Sequence, residues 1–150
     1  MKAFFTLLVI CTLALLPAKS KSETAEPHFP CYLKAEFVEA HDGDTCHLNI
    51  LLPGHLCLRD VAIRAADYDA WEIAHRTGTV VTDAERAKGK TAREAFVKLM
   101  TEAKLIYVEF DKKTTDSFGR YLVYITILNK DNSTIKVGEF MEKNGHCRKE

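Results

Sequence analysis

From Cys31 the chain alternates. Leu33, Ala35 and Phe37 fall on one side and Tyr32, Lys34 and Glu36 on the other, the period of a strand with one face on a core. "HDGD" (41–44) follows as a tight turn, because Asp-Gly supplies the positive φ a hairpin demands. "TCHLNILL" (45–52) then predicts a second strand, "PGH" a turn, and "LCLRDVAIR" (56–64) a third, giving an antiparallel meander.

The period then changes. After a loop, "IAHRTGTVV", Thr82 and Glu85 stand at capping-box spacing. Ala92, Ala95, Phe96, Leu99, Met100 and Ala103 recur at alternating steps of three and one, a single apolar stripe on a helix. Gly89 sits near its start as a weak helix former. "KLIYVEFD" (104–111) alternates again, "KKTTDSFGR" predicts a loop, and "YLVYITIL" (121–128) a β-branched and aromatic strand. "VGEFMEKNG" (137–145) closes as a short helix with Gly145 as its cap. The order predicts an α+β chain, mainly β: a five-stranded barrel of the OB-fold type. It has a helix between strands 3 and 4 and a short C-terminal helix. An open α+β sheet is the competing arrangement.

Composition refines this picture. With 150 residues and 47% hydrophobic side chains, one domain with a real core is expected, over residues 31–150. Residues 1–20 read as a secretory signal: Lys2, an apolar run from Ala3 to Leu16, a break at Pro17, and small residues placing cleavage after Ser20. The run is shorter than the roughly 20 residues of a spanning helix, so a retained membrane anchor is the lesser alternative. Residues 21–30 form a polar leader. The chain after Ser20 is expected to be secreted or periplasmic, and monomeric.

Residues 1–20 hold Lys2 and Lys19 and no acids, leaving 19 basic against 21 acidic residues and a formal net charge of −2. Bulk charge therefore cannot hold a long nucleic acid, and any polyanion contact must come from locally placed cations or a metal. Cys31, Cys46, Cys57 and Cys147 remain, an even count that suggests two disulfides in an exported chain; none has CxxC zinc spacing. Strand geometry brings Cys31 near Cys57. Cys46 and Cys147 would pair by elimination, with a buried free thiol at Cys46 as the alternative.

The candidate chemistry lies in "IRAADYDAWE" (63–72), where Arg64, Asp67, Asp69 and Glu72 are too dense in charge for a core. In a meander, the end of the third strand returns to the level of the first turn. Asp44, Arg64, Asp69 and Glu72 can therefore meet at one rim, where Asp44 and Asp69 could share a hard cation. Arg120, after Gly119 in "DSFGR", adds a second guanidinium at a strand end. Two arginines, a metal and a spare carboxylate are what phosphodiester hydrolysis requires: clamped phosphate oxygens, an acidified water and a base. A scatter of solvated ion pairs is the bland alternative. No Ser-His-Asp or Cys-His set is apparent, and His28, His41 and His146 are expected in solvent.

"DGDT", "IR" followed by "DAWE", a long helix, "VEFD" and "DSFGR", in that order, resemble the staphylococcal nuclease (thermonuclease) family from about Leu33 to Gly145. The resemblance implies an OB-fold barrel and a calcium-dependent enzyme that cuts DNA and RNA to leave 3′-phosphate ends. It implies Asp44 and Asp69 as Ca²⁺ ligands with the backbone carbonyl of Ala70. Glu72 becomes the residue that positions or deprotonates water, and Arg64 and Arg120 the phosphate-binding arginines. Lying at a rim, both arginines are expected to be replaceable without loss of the fold.

The sequence departs from the family pattern in several places. Trp71 stands where the family has proline before the glutamate, Asp67 replaces an apolar residue, and the hairpin at "LLPGHLCLRD" is longer. The family's terminal helix, with aromatics that cradle the nucleotide, has no counterpart after Gly145. An OB-fold binding module without turnover is the alternative function.

Overall fold

The computed structural model describes residues 32–74 and 80–148. The expected signal segment, the leader and Cys31 lie outside them.

The strands form where the alternation predicts. β1 (Leu33–Ala40), β2 (Thr45–Leu52) and β3 (Leu56–Ala65) make the meander. Helix α1 (Asp83–Glu102) follows, then β4 (Leu105–Thr115), β5 (Tyr121–Leu128), the three-residue β6 (Thr134–Lys136) and helix α2 (Val137–Lys143). The sheet order is β3-β2-β1-β4-β5-β6, and β5 pairs with β3, closing five strands into the expected barrel. β6 is an addition on the outer edge of β5. Three residues are too few to display a period, so the sequence pattern passes over it.

Alternate residues fill the barrel. Leu48, Ile50, Ile63, Val108, Val123 and Ile127 are fully buried, each worth roughly 1.5–3 kcal/mol of transfer free energy. The stripe of α1 faces them through Ala92, Phe96 and Met100, and Phe96 meets Phe37 edge-on at 6.5 Å. The capping box is complete: Thr82 Oγ1 accepts from Glu85 N, and Glu85 accepts from Thr82 N.

Three local expectations change. Gly43 is not among the glycines at positive φ, which are Gly54, Gly119 and Gly145. The 41–44 turn is instead held by Asp42, whose carboxylate accepts from Asp44 N at 3.1 Å and Thr45 N at 2.7 Å. Gly43 is required for space: a Cβ there would lie 2.8 Å from Ala70 Cβ and 3.0 Å from Ala92 Cβ. Second, "KKTT" continues β4 to Thr115, which pairs with Tyr121, leaving a short loop before β5. Third, no disulfide joins cysteines among the described residues, so the bridge expected between Cys46 and Cys147 is not formed. Cys46 is wholly buried on β2, whereas Cys147 pairs through its backbone with Ala70. Because Cys31 lies outside the described residues, its expected bridge to Cys57 does too.

Candidate active site at the barrel rim

Barrel closure assembles the site. β2 pairs with β3 so that Thr45 stands opposite Arg64. β3 runs parallel to β5 with Arg64 opposite Leu122, two residues beyond Arg120. The first turn, the end of β3 and the start of β5 are thereby fixed at one rim by backbone pairing alone.

The side chains there form one continuous run of contacts. Arg120 Nη1 donates to Thr45 Oγ1 at 2.9 Å, and Thr45 Oγ1 donates to Asp44 Oδ1 at 2.9 Å. Asp44 Oδ2 is 3.1 Å from Arg64 Nη2, which also donates to Asp69 Oδ1. Asp69 Oδ2 accepts from Arg148 Nη2 at 3.0 Å, and that same nitrogen lies 3.3 Å from Glu72 Oε1. Asp44, Arg64, Asp69, Glu72 and Arg120 are thus brought together as expected, joined by Thr45 and Arg148. Asp116 aims the Arg120 fork: its Oδ2 lies 2.7 Å from Nε and 2.6 Å from Nη2. Asp116 is itself held by the backbone N–H groups of Phe118 and Arg120. Burial works against its charge, but those bonds and the guanidinium outweigh it and keep its carboxyl below the usual carboxylate range.

Burial pushes the Asp44 carboxyl up to about 7, and the charge of Asp42 adds to this, against the opposing pull of Arg64 and the N–H of Ala70. Burial also disfavours the charge on Arg64, yet Asp44 and Asp69 more than offset it, and its pKa rises. The two directions are consistent: Arg64 is shared between carboxylates, so it gains more from the group than Asp44 gains from half of it.

The loop 69–72 contains no proline to fix φ, so its conformation depends on contacts with the rest of the chain. The segment after α2 clamps it. Arg148 N donates to the Asp69 carbonyl at 2.8 Å, Trp71 N to the His146 carbonyl at 3.4 Å, and Ala70 bridges to Cys147. Ala70 N donates to Asp44 Oδ2 at 2.9 Å, which ties the loop to the first turn. Lys88 Nζ lies 4.2 Å from the centroid of the Trp71 ring. Gly89 lets α1 approach the loop from below: a Cβ there would be 2.7 Å from the Trp71 carbonyl oxygen.

Asp67 does not join the run of contacts. It lies against α2, where a Cβ on Gly138 would overlap its carboxylate, and burial raises its pKa. His41 is exposed as expected, and His146 is half-buried with its carbonyl engaged by Trp71. Arg148, Asp42 and Asp116 were not singled out by sequence reasoning. Asp116 had a readable signal, the Asp-x-x-Gly of a turn; Arg148 had none, because its partners are 76 and 79 positions away.

Asp44 and Asp69 both address one nitrogen of Arg64, so two hard-oxygen donors face a single cationic point. That donor chemistry fits Ca²⁺, which takes carboxylate and carbonyl oxygens in loose geometry. Among the described residues no group of three or more His, Cys, Asp or Glu side chains forms a metal cluster, and the candidate set is two carboxylates with the Ala70 carbonyl. Comparison of the chain with protein-family models gives no match, and comparison with curated proteins gives none.

Proposed function

We propose that the chain is an exported, monomeric phosphodiesterase of the thermonuclease type, an endonuclease that hydrolyses DNA, RNA or both and leaves 3′-phosphate ends. The observation that carries this reading is the unbroken run from Arg120 through Thr45, Asp44, Arg64, Asp69 and Arg148 to Glu72, which joins three guanidinium groups and three carboxylates at one rim.

In this reading Arg64 and Arg120 bind the scissile phosphate. Each is fixed by carboxylates behind it, so its remaining donors are set before substrate arrives, and little ordering is left for the transition state. Thr45 couples the two arginines through Asp44. Glu72 orients an attacking water and accepts its proton. Asp44, Asp69 and the Ala70 carbonyl would hold Ca²⁺, which supplies charge against the phosphate and a more acidic water.

The test is incubation of the purified chain with plasmid DNA and with RNA in Ca²⁺, repeated in chelator, with end-group analysis of the fragments. Cleavage in Ca²⁺ leaving 3′-phosphates is expected. Retention of nucleic acid without cleavage would favour the binding-module alternative.

A further inference from the structure

Both carboxylate oxygens of Asp69 are already taken. Arg64 donates to Oδ1 and Arg148 to Oδ2. A divalent cation bound to Asp69 would sit against both guanidinium groups, and like-charge repulsion favours release of one. The two are not held equally. Arg64 also reaches buried Asp44 at 3.1 Å and its side chain is 12% exposed. Arg148 is 35% exposed and its further partner is Glu72, at 3.3 Å. Its Nε is buried with no acceptor among the described residues, a cost that leaving the position would relieve. Arg148 is therefore the group that yields.

We propose that Arg148 is a tethered guanidinium that neutralises Asp69, one of the candidate cation ligands, in the metal-free protein and sets the affinity for the divalent ion by competing with it for that carboxylate. The tether is the backbone pairing of residues 146–148 with 69–71, which keeps the guanidinium beside the site after displacement. Competition of this kind raises the calcium concentration at which the site fills. The inference rests on the calcium reading above.

Calcium titration of the chelated full chain by calorimetry tests it, comparing wild type, Arg148→Gln, Arg148→Lys and Lys130→Gln. Lys130→Gln removes one charge from an exposed position and controls for net charge. Arg148→Gln is expected to bind Ca²⁺ roughly tenfold more tightly, as one charged hydrogen-bonded competitor is lost. Arg148→Lys should fall between, and Lys130→Gln should match wild type within about twofold. In wild type, the ¹⁵N resonance of Arg148 Nε should shift as Ca²⁺ is added, a readout that survives if a variant fails to fold. Equal or weaker binding by Arg148→Gln, or an unmoved resonance while Ca²⁺ binds, overturns the proposal alone. No calcium binding by any of the chains overturns it together with the calcium reading.

Discussion

Gly89 of α1 faces the backbone of Glu72 so closely that a Cβ would stand 2.6 Å from the Glu72 carbonyl oxygen. Backbone cannot turn aside as a flexible side chain can. Gly89→Ala should therefore push the loop carrying Glu72 off α1, at a cost of about 1–3 kcal/mol. The gain in helix propensity, about 1 kcal/mol, offsets part of this. A lower melting temperature and reduced turnover are expected together. An unchanged melting temperature would show that α1 and the loop separate freely.

Arg64→Ala, Arg120→Ala and Glu72→Gln should each reduce turnover on the order of 10³-fold. Their effects on stability should differ, and here burial revises the expectation from sequence that both arginines are dispensable to the fold. Above pH 7, where Asp44 is ionised, Arg64→Ala leaves that buried carboxylate without its guanidinium, a loss of roughly 3–5 kcal/mol. In Arg120→Ala, Asp116 keeps two backbone N–H donors, so about 1–2 kcal/mol is expected. Urea midpoints of the two variants decide between graded and equal losses.

Stability in chelator should fall as pH rises from about 4 to about 7. Burial, with the charge of Asp42 behind it, lifts the Asp44 carboxyl from 3.8 to about 7 in the folded chain. Within that window the folded chain holds a proton the unfolded chain has released, so folding is favoured at the acid end and loses that advantage as Asp44 ionises. Asp44→Asn should flatten most of the slope, leaving the smaller part contributed by Asp67, whose pKa burial also raises. Ca²⁺, which needs the ionised carboxylate, should stabilise more at pH 7 than at pH 5. Denaturant midpoints across this range, with and without Ca²⁺, measure both effects.

If the proposed calcium-dependent cleavage holds, Mg²⁺ should substitute poorly for Ca²⁺. Two carboxylates and one carbonyl at an open rim suit the loose coordination of Ca²⁺ better than the strict octahedron of Mg²⁺. Equal rates in Mg²⁺ with Ca²⁺ excluded would count against the assigned ligands.

The thiols should react in a fixed order. Exposed Cys57 should label first with a maleimide. Cys147, whose pKa burial pushes up to about 11, should follow slowly. Cys46 is buried with its pKa raised further and should label only on unfolding. Mass mapping of briefly labelled protein gives the order. A Cys57 found unreactive in the unreduced chain would point to a bridge from Cys31.

What was legible in the sequence was whatever a short window carries. The period of two in "TCHLNILL", the stripe from Ala92 to Ala103 and the box at Thr82 and Glu85 each lie within a few turns or one strand, and each folded as read. The rim was legible because a meander brings Asp44 and Arg64 to one level by geometry alone. The role of Gly43 was misread because its reason is tertiary: space for Ala70 and Ala92, not a dihedral angle. Gly89 looked like a flaw in a helix for the same reason. Arg148 was invisible because only the folded chain carries it to Asp69.

That distance has a consequence for when the site exists. Thr45 and Arg120 meet across 75 positions, and Asp69 and Arg148 across 79. Contacts this remote along the chain form late in folding, after the entropy of closing long loops has been met. A chain still being synthesised, or threading outward through a membrane, has the first turn and β3 without β5 or the segment beyond α2. It lacks Arg120 and the clamp on Glu72 until β5 and the segment beyond α2 have been added. On the hydrolytic reading, the making of the enzyme and its first turnover are separated in time, and the cell that produces it is not exposed to a half-built nuclease.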